Sequence, residues 1–149
     1  MAPQPPGGAP IGGAPGMQAG APSNLLDRGF NNVRANGQIT GFQILVRDSY
    51  YRGIFVPLID SFEVEVDGEK FGPDKVMAGF NGKNYKQSEL EKLDNVRWQF
   101  GEPATLTVSK PGGLKPGFHN VTVVVKERIS YMPTIPSVRT FRAKLVIVR

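Results

Sequence analysis

The sequence predicts an all-β fold, an antiparallel β-sandwich of the jelly-roll or immunoglobulin-like kind, with at most one short helix. Three observations carry this. Apolar and polar residues alternate with a period of two in several short runs, the pattern of strands with one buried face. Gly, Pro and Asp-Gly turn chemistry separates those runs. Only one stretch has the spacing of a helix start. The 149 residues are one domain's worth, long enough for a real core. An open barrel is the alternative way to close the same strands.

Residues 1–24 read MAPQPPGGAPIGGAPGMQAGAPSN. So little apolar side chain cannot repay the cost of ordering the backbone, on the order of 1–2 kcal/mol per residue. This stretch is expected to be a tail that gains order only along a neighbouring chain, and residues 25–149 are expected to form the single sandwich domain. Residues 25–34 are short and mixed, with no clear pattern. Residues 38–47 read as a strand, with Phe42, Ile44 and Val46 on one face and Gln43 and Arg47 on the other. The connection DSYYRG follows. Ile54 to Ile59 is apolar on both faces, and Pro57 bars it from a central strand. Phe62, Val64 and Val66 alternate with Glu63 and Glu65 before the Asp67-Gly68 turn, so the two glutamates face solvent and are not a catalytic pair. Ser88-x-x-Glu91 has capping-box spacing and predicts one or two helical turns over residues 88–93. Residues 96–100 form a further alternating run, which places Trp98 in the core.

The most informative stretch is residues 98–133. Leu106 and Val108 alternate with Thr105, Thr107 and Ser109; Val121, Val123 and Val125 alternate with Asn120, Thr122 and Lys126. KPGGLKPG between them permits turns and forbids a helix, so the reading is a central hairpin running into an irregular SYMPTIPS. The chain closes on a strand over residues 141–148, with Phe141, Ala143, Leu145 and Ile147 inward.

Composition narrows function. Eighteen Lys and Arg against thirteen Asp and Glu leave a charge of +5, scattered without a basic cluster, which is a poor nucleic-acid footprint. No cysteine is present, which suits a reducing compartment. No apolar run approaches the ~20 residues of a membrane span, and the N-terminus lacks signal-peptide regions. The expected location is therefore cytoplasmic. One histidine and no cysteine cannot build the usual zinc ligand set. His119 shares parity with Val121 and Val123, as a partly buried ring bonded to the nearby loop would; a general base would need a carboxylate that the sequence alone does not place. No nucleophile elbow, P-loop or dinucleotide fingerprint occurs.

Two stretches fall outside the alternation: Tyr50, Tyr51 and Arg52 before Gly53, and Tyr131, Met132 and Pro133 after Ser130. Tyr, Met and Arg are the usual anchors of interface cores. These residues either roof the ends of the sandwich or meet a partner. The apolar, proline-broken run from Met132 to Pro136 is expected to need cover from elsewhere.

At YYRG, at RWQFGEPATLTVSKPGGLKPGFHNVTVVV and at RISYMP, the sequence closely resembles the small β subunit of bacterial C-glycoside deglycosidases. The likeness extends from about Gly41 to Val148 and includes VDGEKF and Gly82-Lys83-Asn84-Tyr85. The Pro/Gly-rich tail is not part of that pattern. The resemblance implies a β-sandwich paired with a larger α subunit, a TIM barrel holding a divalent metal, manganese, within a higher-order hetero-oligomer. It implies cleavage of the carbon–carbon bond of 3-oxo-C-glycosides. A ketone at C3 acidifies the C2 proton, a metal stabilises the enolate, and the aryl carbon leaves C1 by β-elimination as an acid protonates it. Metal ligands and the main base then belong to the partner, and this chain, which is expected to carry no catalytic residue, cofactor or metal, is inactive alone. Its expected part is to stabilise the α subunit and wall the barrel mouth through Tyr50, Tyr51, Arg52, Tyr131, Met132 and Pro133. A free-standing carbohydrate-binding sandwich with an aromatic platform is the rival reading.

Overall fold

The computed structural model describes residues 24–47, 53–129 and 132–148, with the backbone alone for residues 129 and 132–136. The first sheet joins β1 (Asn31–Ala35), β2 (Gln38–Arg47), β9 (Pro103–Ser109), β6 (Val76–Phe80) and β7 (Lys83–Lys86), in that spatial order. The second joins β11 (Met132–Ile147), β10 (Gly117–Ile129), β4 (Ile59–Val66) and β5 (Glu69–Phe71). β3 (Ile54–Phe55) and β8 (Arg97–Trp98) form a small ribbon. All pairings are antiparallel. The protein is a β-sandwich.

The alternation explains the core. Phe42, Ile44 and Val46 of β2 and Ala104, Leu106 and Val108 of β9 are buried against Phe62, Val64 and Val66 of β4 and Val121, Val123 and Val125 of β10. Each large apolar side chain so buried contributes roughly 1.5–3 kcal/mol. Three hairpins turn on Asn36-Gly37, Asp67-Gly68 and Asn81-Gly82, all six residues at positive φ, the type I′ geometry that fits strand twist. Gln87 fastens the two sheets: its amide accepts from Phe62 N–H of β4 (2.7 Å) and donates to the carbonyls of Phe62 (2.8 Å) and Val76 of β6 (3.0 Å).

Several expectations need correction. β9 and β10 do not pair; KPGGLKPG carries the chain from one sheet to the other. Alternation reports which face is buried but not which sheet owns the strand. The loop is held instead by Asn32, whose side-chain amide donates to the Leu114 carbonyl (2.9 Å) and accepts from its N–H (2.8 Å). Residues 132–136 are not irregular: they open β11, where Pro136 pairs with Arg128. Among the described residues β11 lies at a sheet edge, where one side of the backbone has no strand to bond and proline is tolerated. The expected helix is a 3-10 turn, Gln87–Lys92, and the Glu89 carboxylate caps the Lys86 N–H (2.9 Å), two residues ahead of the Ser88–Glu91 register. The run over residues 96–100 is a strand only at Arg97–Trp98.

The register defines two poles. One gathers the end of β2 at Arg47, opposite Pro103 of β9, with Gly53, the β3–β8 ribbon and the end of β10 near Ile59 of β4. Asn24, whose carbonyl accepts from Arg47 N–H (2.7 Å), brings the chain in here. The other gathers the Asp67-Gly68 turn, the 110–116 loop and the end of β11, where Ile147 faces Gly117.

Candidate functional site

Of the six expected contact residues, Tyr50, Tyr51, Arg52 and Tyr131 lie outside the described residues, and for Met132 and Pro133 only the backbone is described. Their flanks are informative. Arg47 and Gly53, which bracket the first stretch, and Ile129 and Met132, which bracket the second, all lie at the first pole although some 80 residues separate the two pairs in sequence.

That pole carries features the alternation did not reveal. Trp98 is 2% exposed and packs on Phe62 and Phe80, with ring centroids 5.7 and 6.0 Å away. Its indole N–H donates to the Glu102 carbonyl (2.8 Å), and Glu102 N–H donates to Gln99 O (3.1 Å). This closes a tight turn over residues 99–102, with Gly101 at φ 80°. Phe100, expected to end the 96–100 strand, instead sits on this turn with 58% of its surface exposed. Phe55 is also exposed, and the Arg97 guanidinium lies over its ring, 4.3 Å from the centroid. The motif W-x-F-G-E held the signal: a Gly after Phe100 marks a turn, and a turn ends the alternation.

The opposite pole holds His119. Its Nδ1 bonds Asp67 Oδ2 (2.6 Å), and its Nε2 bonds the Lys115 carbonyl (2.7 Å). Asp67 is the carboxylate that sequence reasoning could not place. Both ring nitrogens face acceptors, so neither is free to take a proton from a substrate. Burial of the ring favours its neutral form, but the Lys115 carbonyl and the Asp67 carboxylate outweigh it and raise the imidazole above its ordinary value of 6.5. The His119 bond, then the Asn120 N–H, hold the Asp67 carboxyl below its ordinary 3.8.

The sign for stability follows. A raised histidine contributes fully below about pH 6.5 and loses its contribution as pH climbs through the raised value; a lowered carboxyl contributes above about 3.8 and loses it on acidification through the lowered value. Wild-type urea midpoints should therefore fall from about pH 6 to about pH 8.5, and His119→Gln should flatten that fall. The aspartate is half-exposed, so the difference is about 1 kcal/mol or less after solvent screening.

Among the described residues no group of three His, Cys, Asp or Glu is placed to hold a metal ion. No helix there is long and apolar enough to cross a membrane. Comparison with known proteins adds the decisive observation. A family model described as C-glycoside deglycosidase beta subunit matches residues 23–131. The chain belongs to that family. The C-glycoside deglycosidase beta subunit of Eubacterium cellulosolvens is similar to it, 39% identical over 108 residues, which cover 72% of this chain and 74% of the relative. The family match spans Tyr50–Arg52, the Phe100 turn and Tyr131. A β subunit implies a second kind of subunit; the first pole carries the exposed rings of Phe55 and Phe100 and the flanks of both candidate stretches, while a third exposed ring, Phe118, lies at the opposite pole, paired with Val146.

Proposed function

We propose that this chain is the small subunit of a heteromeric C-glycoside deglycosidase, a carbon–carbon lyase that cleaves 3-oxo-C-glycosides. The observation that carries the reading is membership of the β-subunit family over most of the chain. The sandwich, residues 25–149, stabilises a metal-dependent TIM-barrel α subunit in the cytoplasm and walls its active site, within a higher-order hetero-oligomer. Among the described residues no cluster fits a metal site, and this reading assigns the divalent metal, manganese, to the α subunit. In the reaction the 3-ketone acidifies the C2 proton; its removal sends electrons to expel the aryl carbon from C1, and that carbon takes up a proton. This chain excludes water and positions the substrate, and assigns no proton to any of its own residues.

Tyr50, Tyr51, Arg52, Tyr131, Met132 and Pro133 form the contact, and one tyrosine stacks on the flat aglycone. Co-expression with the barrel chain encoded beside it, followed by assay of a 3-oxo-C-glucoside with and without manganese, tests the reading: turnover should need both chains and the metal. Arg52→Ala and Tyr131→Ala should each lower co-purification or turnover at least about tenfold, as loss of an interface anchor does. Wild-type assembly and turnover in both variants would remove these residues from the contact. Trp98, the one tryptophan, is buried and offers no platform to a free-standing carbohydrate-binding module.

A further inference from the structure

We infer that the Phe100 turn is a preformed docking knob, whose phenyl ring seats in an apolar socket of the partner subunit. The inference rests on the reading of this chain as one subunit of a complex and names a point of contact that reading did not include.

The turn is built to present the ring. Trp98 is sunk in the core, and its N–H holds the Glu102 carbonyl at 2.8 Å while Glu102 N–H bonds Gln99 O at 3.1 Å. The four-residue turn is thus tied to the buried core of the pole, and Phe100 at its crest is 58% exposed. An apolar ring on a rigid mount gives up little conformational freedom on binding, which is how interface anchors gain affinity. Phe55, 43% exposed on the adjoining ribbon with Arg97 stacked on it, adds a second ring and a guanidinium, the residue types enriched at interface cores.

The occupant follows from size and continuity. A stable interface buries about 1,600 Å² in total, whereas two phenylalanines supply a few hundred at most. The rings therefore belong to a larger contact. Its continuation is next door: a Cβ on Gly53 would lie 3.0 Å from Trp98 O and 3.6 Å from Gln99 Cα, so the chain leaving the YYRG stretch passes against the base of the turn. Membership of a β-subunit family supplies the occupant of that larger contact, a second kind of subunit.

The test measures binding of purified wild type, Phe100→Glu and Phe100→Leu to the barrel subunit, with thermal melting of each free chain. Phe100→Glu should bind about thirty-fold or more weaker, the loss of one hot spot. Phe100→Leu should stay within a few-fold, and the free chains should melt alike. Wild-type affinity in Phe100→Glu overturns the inference alone. A fall in the melting temperature of free Phe100→Glu also overturns it, since the ring would then be structural. So does loss of self-association with partner binding intact, which assigns the knob to a second copy. Failure of the wild type to bind any barrel subunit overturns the subunit reading itself.

Discussion

Gly41→Ala should unfold the domain or cost on the order of 3 kcal/mol or more, the upper end of overpacking effects. The reason is proximity and not backbone freedom. Gly41 lies in β2 between β1 and β9, paired with Val33 and Ser109. A Cβ there would overlap the Val108 carbonyl oxygen and come within 3.0 Å of its carbon and 3.2 Å of Lys110 N. These are backbone atoms of the central strand and of the residue just past its end, and they yield only by parting β2 from β9, the centre of the five-stranded sheet. Gly72→Ala is the control: its φ is −80°, and its Cβ would meet only the Asp74 carboxylate at 3.3 Å, so it should change stability by less than about 0.5 kcal/mol. Urea unfolding of the two variants decides; a Gly41→Ala midpoint at the wild-type value would show that the strands separate more easily than this geometry requires.

The second large effect is expected at Trp98. Trp98→Ala removes the ring that Phe62 and Phe80 pack on and leaves a cavity, a loss of about 3–5 kcal/mol. It also frees the Glu102 carbonyl, which loses its hydrogen-bond donor. Trp98→Phe separates the two contributions. It keeps most of the packing but not the N–H, so it should cost about 1–3 kcal/mol and loosen the 99–102 turn without melting the sandwich. Hydrogen exchange at Glu102, whose N–H bonds Gln99 O, reports that loosening. Protection unchanged in Trp98→Phe would mean the turn stands without its indole tether.

Much of the sandwich is legible in the sequence because a strand's period says which side chains go inward. β2, β4, β9 and β10 all bury the faces their alternation names. What the period does not encode is partnership: nothing in residues 105–125 says that β9 belongs with β2 and β6 while β10 belongs with β4 and β11. Asp67-Gly68 is legible in the sequence as a hairpin turn, and Asn36-Gly37 and Asn81-Gly82 carry the same signal. Prolines at 133 and 136 argued against a strand only on the assumption of neighbours on both sides; at an edge that objection lapses. The candidate site was legible as residue types out of pattern, but not as a place. His119 and Asp67 stand 52 positions apart and meet only because β4 and β10 are neighbours. Likewise the alternating run over residues 96–100 reads as one strand, whereas only Arg97 and Trp98 are paired before the turn at Gly101.

The arrangement of the poles also bears on handling the protein. Asn24 joins the sandwich beside Arg47, at the end crowded with candidate contacts, whereas Val148 follows Ile147 at the far end, beside Gly117. A purification handle or immobilising linker fused directly ahead of Asn24 would crowd the very surface under assay. Attached behind Val148, it leaves that surface unobstructed, and a chain captured this way presents its Phe100 face outward to anything flowed across it.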